Sequence, residues 1–203
     1  MHRRLTSLLL ALGPLVARAD QHTTTLADIA DSGLRQELAQ VGGYPELLRL
    51  PVAAAPVELP LRHGDQQAIS FASDDIRVTL LSYPFQRPQD TRMRQGARTL
   101  YGAPVLGWAS GEDHTRLARL EVVWDGLVVE VPVAEVIDVF DARFCEAVRT
   151  GTVRFTTVVR SADGHRLHVQ VLAGAGPEAR LITWVFEEGR YVMRVVDRFS
   201  VAG

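Results

Sequence analysis

The segment LEVVWDGLVVEVP, residues 120–132, decides the fold class because it has the pattern of a β-hairpin. Apolar residues occupy every second position on both sides of Asp125-Gly126, a dipeptide that favours the tight turn between antiparallel strands. That turn predicts three apolar cross-strand pairs on one face: Leu120–Val131, Val122–Val129 and Trp124–Leu127. A slip of one residue would mix apolar with polar side chains, so the pattern favours this register.

The opposite face of this hairpin sets Glu121 across from Glu130. Two carboxylates about 5 Å apart repel each other by about 1 to 3 kcal/mol. A calcium ion would need about six to eight oxygen ligands, and a shared proton would need burial. We therefore expect a solvated face on which the glutamates turn toward neighbouring arginines. The arginines available for this are Arg119, Arg154, Arg160 and Arg166.

Two further segments have the pattern of a hairpin. In residues 153–172, a three-residue loop at Ala162-Asp163-Gly164 predicts the pairs Val159–Leu167, Thr157–Val169 and Phe155–Val171. In residues 180–197, a turn at Glu188-Gly189 predicts Phe186–Tyr191, Trp184–Met193, Ile182–Val195, Glu187–Arg190 and Arg180–Asp197. The three hairpins together predict an antiparallel β-sheet.

Between the first two hairpins, PVAEVIDVFDARFCEAVRTG, residues 132–151, has the spacing of an amphipathic helix. Its apolar stripe comprises Val133, Val136, Ile137, Phe140, Phe144 and Val148. A helix packed on the antiparallel sheet predicts an α+β fold, and a β-sandwich is the alternative.

The first residues, MHRRLTSLLLALGPLVARAD, have the three regions of a signal peptide: basic residues, an apolar run, and small residues before a cleavage site. We expect removal of residues 1–19, a mature start at Asp20, and export to the periplasm or beyond. The bias toward Arg, Ala, Gly and Val suggests a GC-rich bacterial genome. Loss of Arg3, Arg4 and Arg18 from the 22 basic residues leaves 19 against 24 acidic ones, a net charge of −5. That balance argues against a nucleic-acid binder.

The rest of the chain divides into two parts. Residues 20–56 carry a helical pattern interrupted at Ser32-Gly33 and a Pro-rich connector, and residues 57–203 form the β-rich domain. Strands are expected at 57–62, 67–72 and 76–83. Residues 84–108 show neither the helical nor the strand spacing of apolar residues, which predicts a long irregular loop.

Sequence motifs exclude several function classes. All 22 basic residues of the Lys and Arg count are arginine, so Schiff-base lysines and P-loops are absent. The sequence also lacks nucleophile-elbow, dinucleotide-binding and zincin motifs. Cys145 is the sole cysteine, and a small semi-buried role suits it better than catalysis. His165 and His168 lie three apart on a strand and point to opposite faces, so no metal site and no cofactor are predicted.

Two groups remain as candidate sites. His63, Asp65, Asp113 and His114 place imidazoles beside carboxylates in predicted loops, where a His–Asp pair can act as a general base. Arg87, Arg92, Arg94 and Arg98 form a basic cluster on an acidic protein, and guanidinium groups bind carboxylates and phosphates.

The sequence thus favours a non-enzymatic binding or accessory protein of the bacterial envelope. Its partner would be an anionic small molecule, a glycan or an envelope protein. The alternative is a hydrolase with a dispersed His/Asp site. Convergence of two of the four candidate His and Asp side chains in a concave pocket would favour the enzyme.

Overall fold

The computed structural model describes residues 24–42, 55–85, 91–94, 97–100, 103–108, 113–149 and 151–198. Of residues 91–94, 97–100 and 103–104 it gives the course of the backbone alone. The expected signal peptide and its cleavage site lie outside the described residues.

One α-helix and sixteen strands form within the described ranges. The helix α1 (Ser32–Gly42) is followed by β1 (Val57–Glu58), β2 (Leu61–Gly64), β3 (Ala68–Ala72), β4 (Ile76–Phe85), β5 (Thr91–Arg94), β6 (Ala97–Leu100), β7 (Ala103–Pro104) and β8 (His114–Trp124). Then come β9 (Leu127–Val129), β10 (Ala142–Arg143), β11 (Cys145–Val148), β12 (Gly151–Arg154), β13 (Thr156–Arg160), β14 (Arg166–Ala173), β15 (Arg180–Glu187) and β16 (Arg190–Arg198). Single 3₁₀ turns occupy Leu26–Asp28, Val133–Glu135 and Gly176–Glu178.

The strands form two large antiparallel sheets. One sheet has the order β2-β3-β4-β8-β9, and the other has β1-β13-β14-β15-β16 with β10 alongside β14. Apolar residues of both sheets share one buried cluster, to which Phe71 and Trp124 contribute from the first sheet and Trp184 and Phe186 from the second. The two sheets therefore pack face to face, as the sandwich alternative anticipated.

Helix α1 covers the outer face of the second sheet. Asp31 accepts hydrogen bonds from the amides of Gly33 (2.8 Å) and Leu34 (3.0 Å), which satisfies the exposed first turn of the helix. Leu34 and Leu38 then pack with Val185 of β15 in a second apolar cluster. The antiparallel sheets and this helix confirm the α+β class.

The helix predicted for residues 132–151 is wrong. The segment makes one 3₁₀ turn at Val133–Glu135 and then enters β10 and β11. Besides local hydrogen bonds around this turn, its polar groups bind distant partners: the Trp184 indole donates to the Glu135 carbonyl (2.8 Å), and the Phe140 amide donates to the Leu106 carbonyl (2.8 Å). The many β-branched residues of the segment have weak helix propensity, so tertiary contacts decide its conformation.

The register of the first hairpin is confirmed near its turn. Val122 pairs with Val129 and Trp124 with Leu127. The ladder ends at Val129, so Glu130 lies beyond it, whereas Glu121 pairs with Thr79 of β4 on its other side.

The second hairpin differs from its prediction by one residue. The observed pairs are Arg160–Leu167, Val158–Val169 and Thr156–Val171, because the turn has four residues between Ser161 and Arg166. Gly164 has the expected left-handed backbone, with φ at +78°. The assumption of one apolar face fails because β14 is buried on both faces, one against the other sheet and one below α1.

The third hairpin follows its prediction at the turn and departs from it farther along. Phe186 pairs with Tyr191 and Glu187 with Arg190, as expected. A β-bulge at Val192 then shifts the ladder, so that Met193 pairs with Val185 instead of Trp184. The charge pair expected between Arg180 and Asp197 is displaced by the same bulge.

Residues 84–108 are not irregular throughout. Strand β4 continues to Phe85, and β5, β6 and β7 form a small antiparallel sheet. These strands are too short for a two-residue period to be visible. Leu106 and Trp108, which follow them, are buried.

Candidate functional site

A buried histidine meets a partly exposed aspartate where the two large sheets approach each other. The Nδ1 atom of His114, at the start of β8, lies 2.9 Å from the Oδ2 atom of Asp141. The other carboxylate oxygen of Asp141 accepts a hydrogen bond from the Thr115 amide (2.9 Å). The His114 side chain is 1% exposed. The carboxylate therefore orients the imidazole and places the ring proton on Nδ1.

A local backbone feature brings Asp141 to this position. Its φ of +49° lies in the left-handed region, which aspartate adopts more readily than most residues. The Asp141 amide also donates to the carbonyl of Thr115 (2.9 Å). The turn before β10 is thus joined to the start of β8 through both backbone and side chain.

Aromatic rings enclose His114. Its ring centroid lies 4.0 Å from that of Trp108, which also contacts Phe140 at 5.0 Å. Phe85 packs edge-on against Phe140 at 4.9 Å. Among the described residues, the Nε2 atom of His114 has no hydrogen-bond partner, and it is buried. The imidazole is therefore oriented like a general base but closed off from solvent.

A cavity of about 320 Å³ runs along β10 and β11, next to Asp141. Its described lining residues are Gln66, Thr115, Asp141, Ala142, Arg143, Phe144, Cys145, Glu146 and Ala147. Arg143 donates two hydrogen bonds to Glu146, from Nε (2.6 Å) and from a terminal nitrogen (2.9 Å). Its guanidinium carbon lies 3.7 Å from the ring centroid of Phe155. The charged groups of the cavity are therefore held in place.

Two groups that line the cavity have shifted pKa values, and both shifts move the pKa farther from 7. The hydrogen bonds from Arg143 lower the pKa of the Glu146 carboxyl. Burial raises the pKa of the Cys145 thiol. Glu146 is thus ionised and Cys145 protonated near pH 7, which is opposite to the tuning that acid–base or nucleophilic catalysis requires.

The four His and Asp candidates do not come together in one pocket. His63 and Asp65 are 3.2 Å apart, but both are more than half exposed and neither is among the residues that line the cavity. Asp65 holds a turn by accepting from the amides of Gln67 and Ala68, each at 2.7 Å. His114 is buried against Asp141, while Asp113 is exposed.

The arginine cluster is described in part. Arg87 lies outside the described residues, Arg92 and Arg94 belong to β5, and Arg98 pairs with Met93 across β5 and β6. Because no side chain of this sheet is described, anion binding there stays a prediction.

Glu121 has the arginine neighbour that was expected for it. Arg119 donates to the Glu121 carboxylate on the solvent side of β8. The three other arginines pair elsewhere: Arg154 with Glu58, Arg160 with Asp75, and Arg166 with Glu37 and Glu187.

Sequence reasoning missed Asp141, Arg143 and Glu146. All three lie in the segment assigned to a helix, where the spacing of Arg143 and Glu146 resembled an ordinary pair on a helix surface. No local signal distinguishes Asp141 as the partner of a histidine 27 residues away.

Comparison of the chain with models of known protein families, with curated proteins and with solved structures finds no match. Within the described ranges, no helix is both long and apolar enough to cross a bilayer. Three or more histidine, cysteine, aspartate or glutamate side chains do not converge on a metal position anywhere in that part of the chain.

Proposed function

We propose that this chain is an exported, non-enzymatic binding or accessory protein of the bacterial envelope, and that it holds a small polar ligand in the cavity along β10 and β11. One observation carries the proposal: Arg143 and Glu146, joined by two hydrogen bonds, line a cavity of about 320 Å³ as charges that are already held in place. The lowered pKa of Glu146 and the raised pKa of Cys145 agree with it. Groups with fixed protonation states bind ligands well but exchange protons poorly near pH 7.

The chemistry of the lining indicates the class of ligand. Arg143 and Gln66 offer hydrogen-bond donors, whereas Asp141 and Glu146 offer acceptors. A molecule that has both donors and acceptors, such as a sugar or a hydroxy acid, complements such a surface. An envelope location follows from the signal-like residues 1–19.

A thermal-shift screen of the chain that starts at Asp20, with glycans and small carboxylates, tests the proposal. We expect a ligand that raises the melting temperature of the wild type but not that of Arg143→Met, which removes the donors. The control Arg62→Met changes an exposed arginine of β2 outside the cavity and should respond like the wild type. Equal shifts in both variants would exclude this cavity.

The second candidate function is hydrolysis with His114 as general base. The 2.9 Å contact between His114 Nδ1 and Asp141 favours it, because an oriented imidazole with its other nitrogen available is the usual form of such a base. The burial of Nε2 opposes it. Turnover of ester or glycoside substrates that is abolished in His114→Gln and retained in the exposed control His63→Gln would establish the enzyme instead.

A further inference from the structure

A second cavity, of about 170 Å³, lies between α1 and the loop that joins β13 to β14. Its described lining residues are Gly33, Gln36, Glu37, Gln40, Pro56, Ser161, Ala162, Asp163 and His168. One molecule occupies about 30 Å³ in liquid water, so the volume of this cavity is larger than a single water molecule needs. Most of the lining side chains are polar, which distinguishes the cavity from a packing defect in an apolar core.

His168 makes this cavity unusual. Its side chain is fully buried, and its Nε2 atom lies 3.3 Å from Glu37 Oε2. The carboxylate places the ring proton on Nε2, so Nδ1 carries a lone pair that accepts hydrogen bonds. Among the described residues, Nδ1 has no hydrogen-bond partner. A buried acceptor without a donor is costly, which indicates that a donor occupies this cavity in the working protein.

The charge of the cavity selects the kind of donor. Glu37 and Asp163 are the charged residues of the described lining, and both are acidic. Arg166 neutralises Glu37 incompletely, since its guanidinium lies 3.1 Å from Glu37 and also 3.1 Å from Glu187. One arginine thus serves two carboxylates, and Asp163 adds a third negative charge nearby.

We propose that this cavity binds a small organic cation with N–H donors, a primary ammonium or a guanidinium group. The cation satisfies His168 Nδ1 and pairs with Glu37 and Asp163 by charge-assisted hydrogen bonds. Since no set of three metal-ligand side chains converges in the described part of the chain, hydrogen bonding accounts for the cavity better than metal coordination does. This site is independent of the cavity along β10 and β11, with which it shares no lining residue.

Agmatine, which carries one ammonium and one guanidinium group, is the probe for the test, and uncharged 1,4-butanediol is its control. The purified chain is titrated with each compound, while NMR follows the ring signals of His168 and calorimetry measures the affinity. We expect agmatine to shift the His168 signals and to bind more weakly at high salt, because the contacts are ionic. Butanediol should have neither effect.

Three variants separate binding from folding. Asp163→Asn keeps an oxygen that can accept from Ser161 Oγ and from the His165 amide but removes the charge, and it should weaken agmatine binding about tenfold. Glu37→Gln should weaken it at least as much. The matched control Glu188→Gln removes an exposed carboxylate outside the cavity and should bind agmatine like the wild type.

Two results would overturn the proposal. One is agmatine binding that Asp163→Asn and Glu37→Gln leave unchanged, which would place the cation elsewhere on the acidic surface. The other is an ordered water at His168 Nδ1 with ring signals that do not respond to agmatine, which would make the cavity a hydration site only. Circular dichroism of each variant confirms that the sheet is intact.

Discussion

Arg194 and Asp138 form a buried, two-pronged ion pair with hydrogen bonds of 2.5 and 2.9 Å. Their side chains are 7% and 9% exposed. Arg194 also donates to the Glu135 carbonyl (3.0 Å), so this one guanidinium attaches the segment after β9 to strand β16. The pair holds the chain that leads to Asp141 and to the larger cavity.

Breaking this pair should destabilise the protein strongly. Arg194→Met leaves the buried Asp138 carboxylate without its cation, and we expect a loss of about 3 to 5 kcal/mol in the free energy of unfolding. Denaturation with guanidinium chloride measures it. The double variant with Asp138→Leu should lose less than the two single variants combined, because no buried charge is left alone at position 138. Glu135, the other carboxylate that pairs with Arg194, is one-third exposed and can be solvated. The exposed control Arg62→Met should change stability by about 0.5 kcal/mol or less.

Two glycines with the same backbone conformation should tolerate alanine very differently. Gly174 has φ +76° and Gly126 has φ +78°. A Cβ atom at Gly174 would clash with the backbone of Gly107, whereas at Gly126 it would meet nothing within 4 Å. Gly126→Ala should therefore cost about 1 to 2 kcal/mol, the strain of the left-handed backbone alone. Gly174→Ala should cost more than about 3 kcal/mol. Equal losses in urea denaturation would contradict the close approach of Gly107 and Gly174.

Acid should release α1 from the sheet. Burial alone would raise the pKa of Glu37, but the hydrogen bond from His168 and the charge of Arg166 outweigh burial and lower it below the ordinary value of 4.5. A lowered pKa means that the stabilisation is complete above pH 4.5 and is lost as the pH falls through the folded-state value. Unfolding midpoints measured from pH 7 to pH 3 should fall more steeply for the wild type than for Glu37→Gln. Parallel curves would show that Glu37 does not contribute.

The carboxylate of Glu121 should contribute little to the free energy of unfolding. It pairs with Arg119 at the solvent-exposed surface of β8, and exposed ion pairs contribute little. Glu121→Gln should change the free energy of unfolding by no more than about 1 kcal/mol in either direction. A calcium-dependent rise in melting temperature that disappears in this variant would instead assign Glu121 to a metal site.

Export is tested by the N-terminus of the protein. Expression of the full chain in a bacterium with a periplasm should give a periplasmic product that begins at Asp20, because the small residues Ala17 and Ala19 precede that position. Mass spectrometry of the periplasmic fraction identifies the first residue. An intact Met1 in the cytosol would show that residues 1–19 are not a signal peptide.

The turns of the sheet were predictable because their chemistry is local. Asp125-Gly126 and Glu188-Gly189 both adopt the left-handed conformation that a two-residue hairpin requires, with φ values of +50°, +78°, +48° and +73°. The pairs next to these turns follow from the turn itself. The N-terminal helix was visible from the spacing of its apolar residues, although the expected interruption at Ser32-Gly33 is where the helix begins.

Registers farther from the turns depended on the rest of the molecule. The expectation of one buried face holds for β8 near its turn, but β14 is covered by the opposite sheet on one side and by α1 on the other. A strand buried on both faces gives no alternation from which to derive a register. The bulge at Val192 likewise has no sequence signal of its own.

The sequence by itself determined the antiparallel hairpins and the N-terminal helix, because turn residues and the spacing of apolar residues act within a short stretch of chain. Tertiary structure alone decided the conformation of residues 132–151, and with it the larger cavity. It also alone brought α1 to the loop between β13 and β14, where the second cavity lies. Asp141 reaches His114, and Glu37 reaches His168, across 27 and 131 residues of chain. Such pairs form only when packing brings distant strands and helices together, since their hydrogen bonds stabilise nothing in the isolated segments.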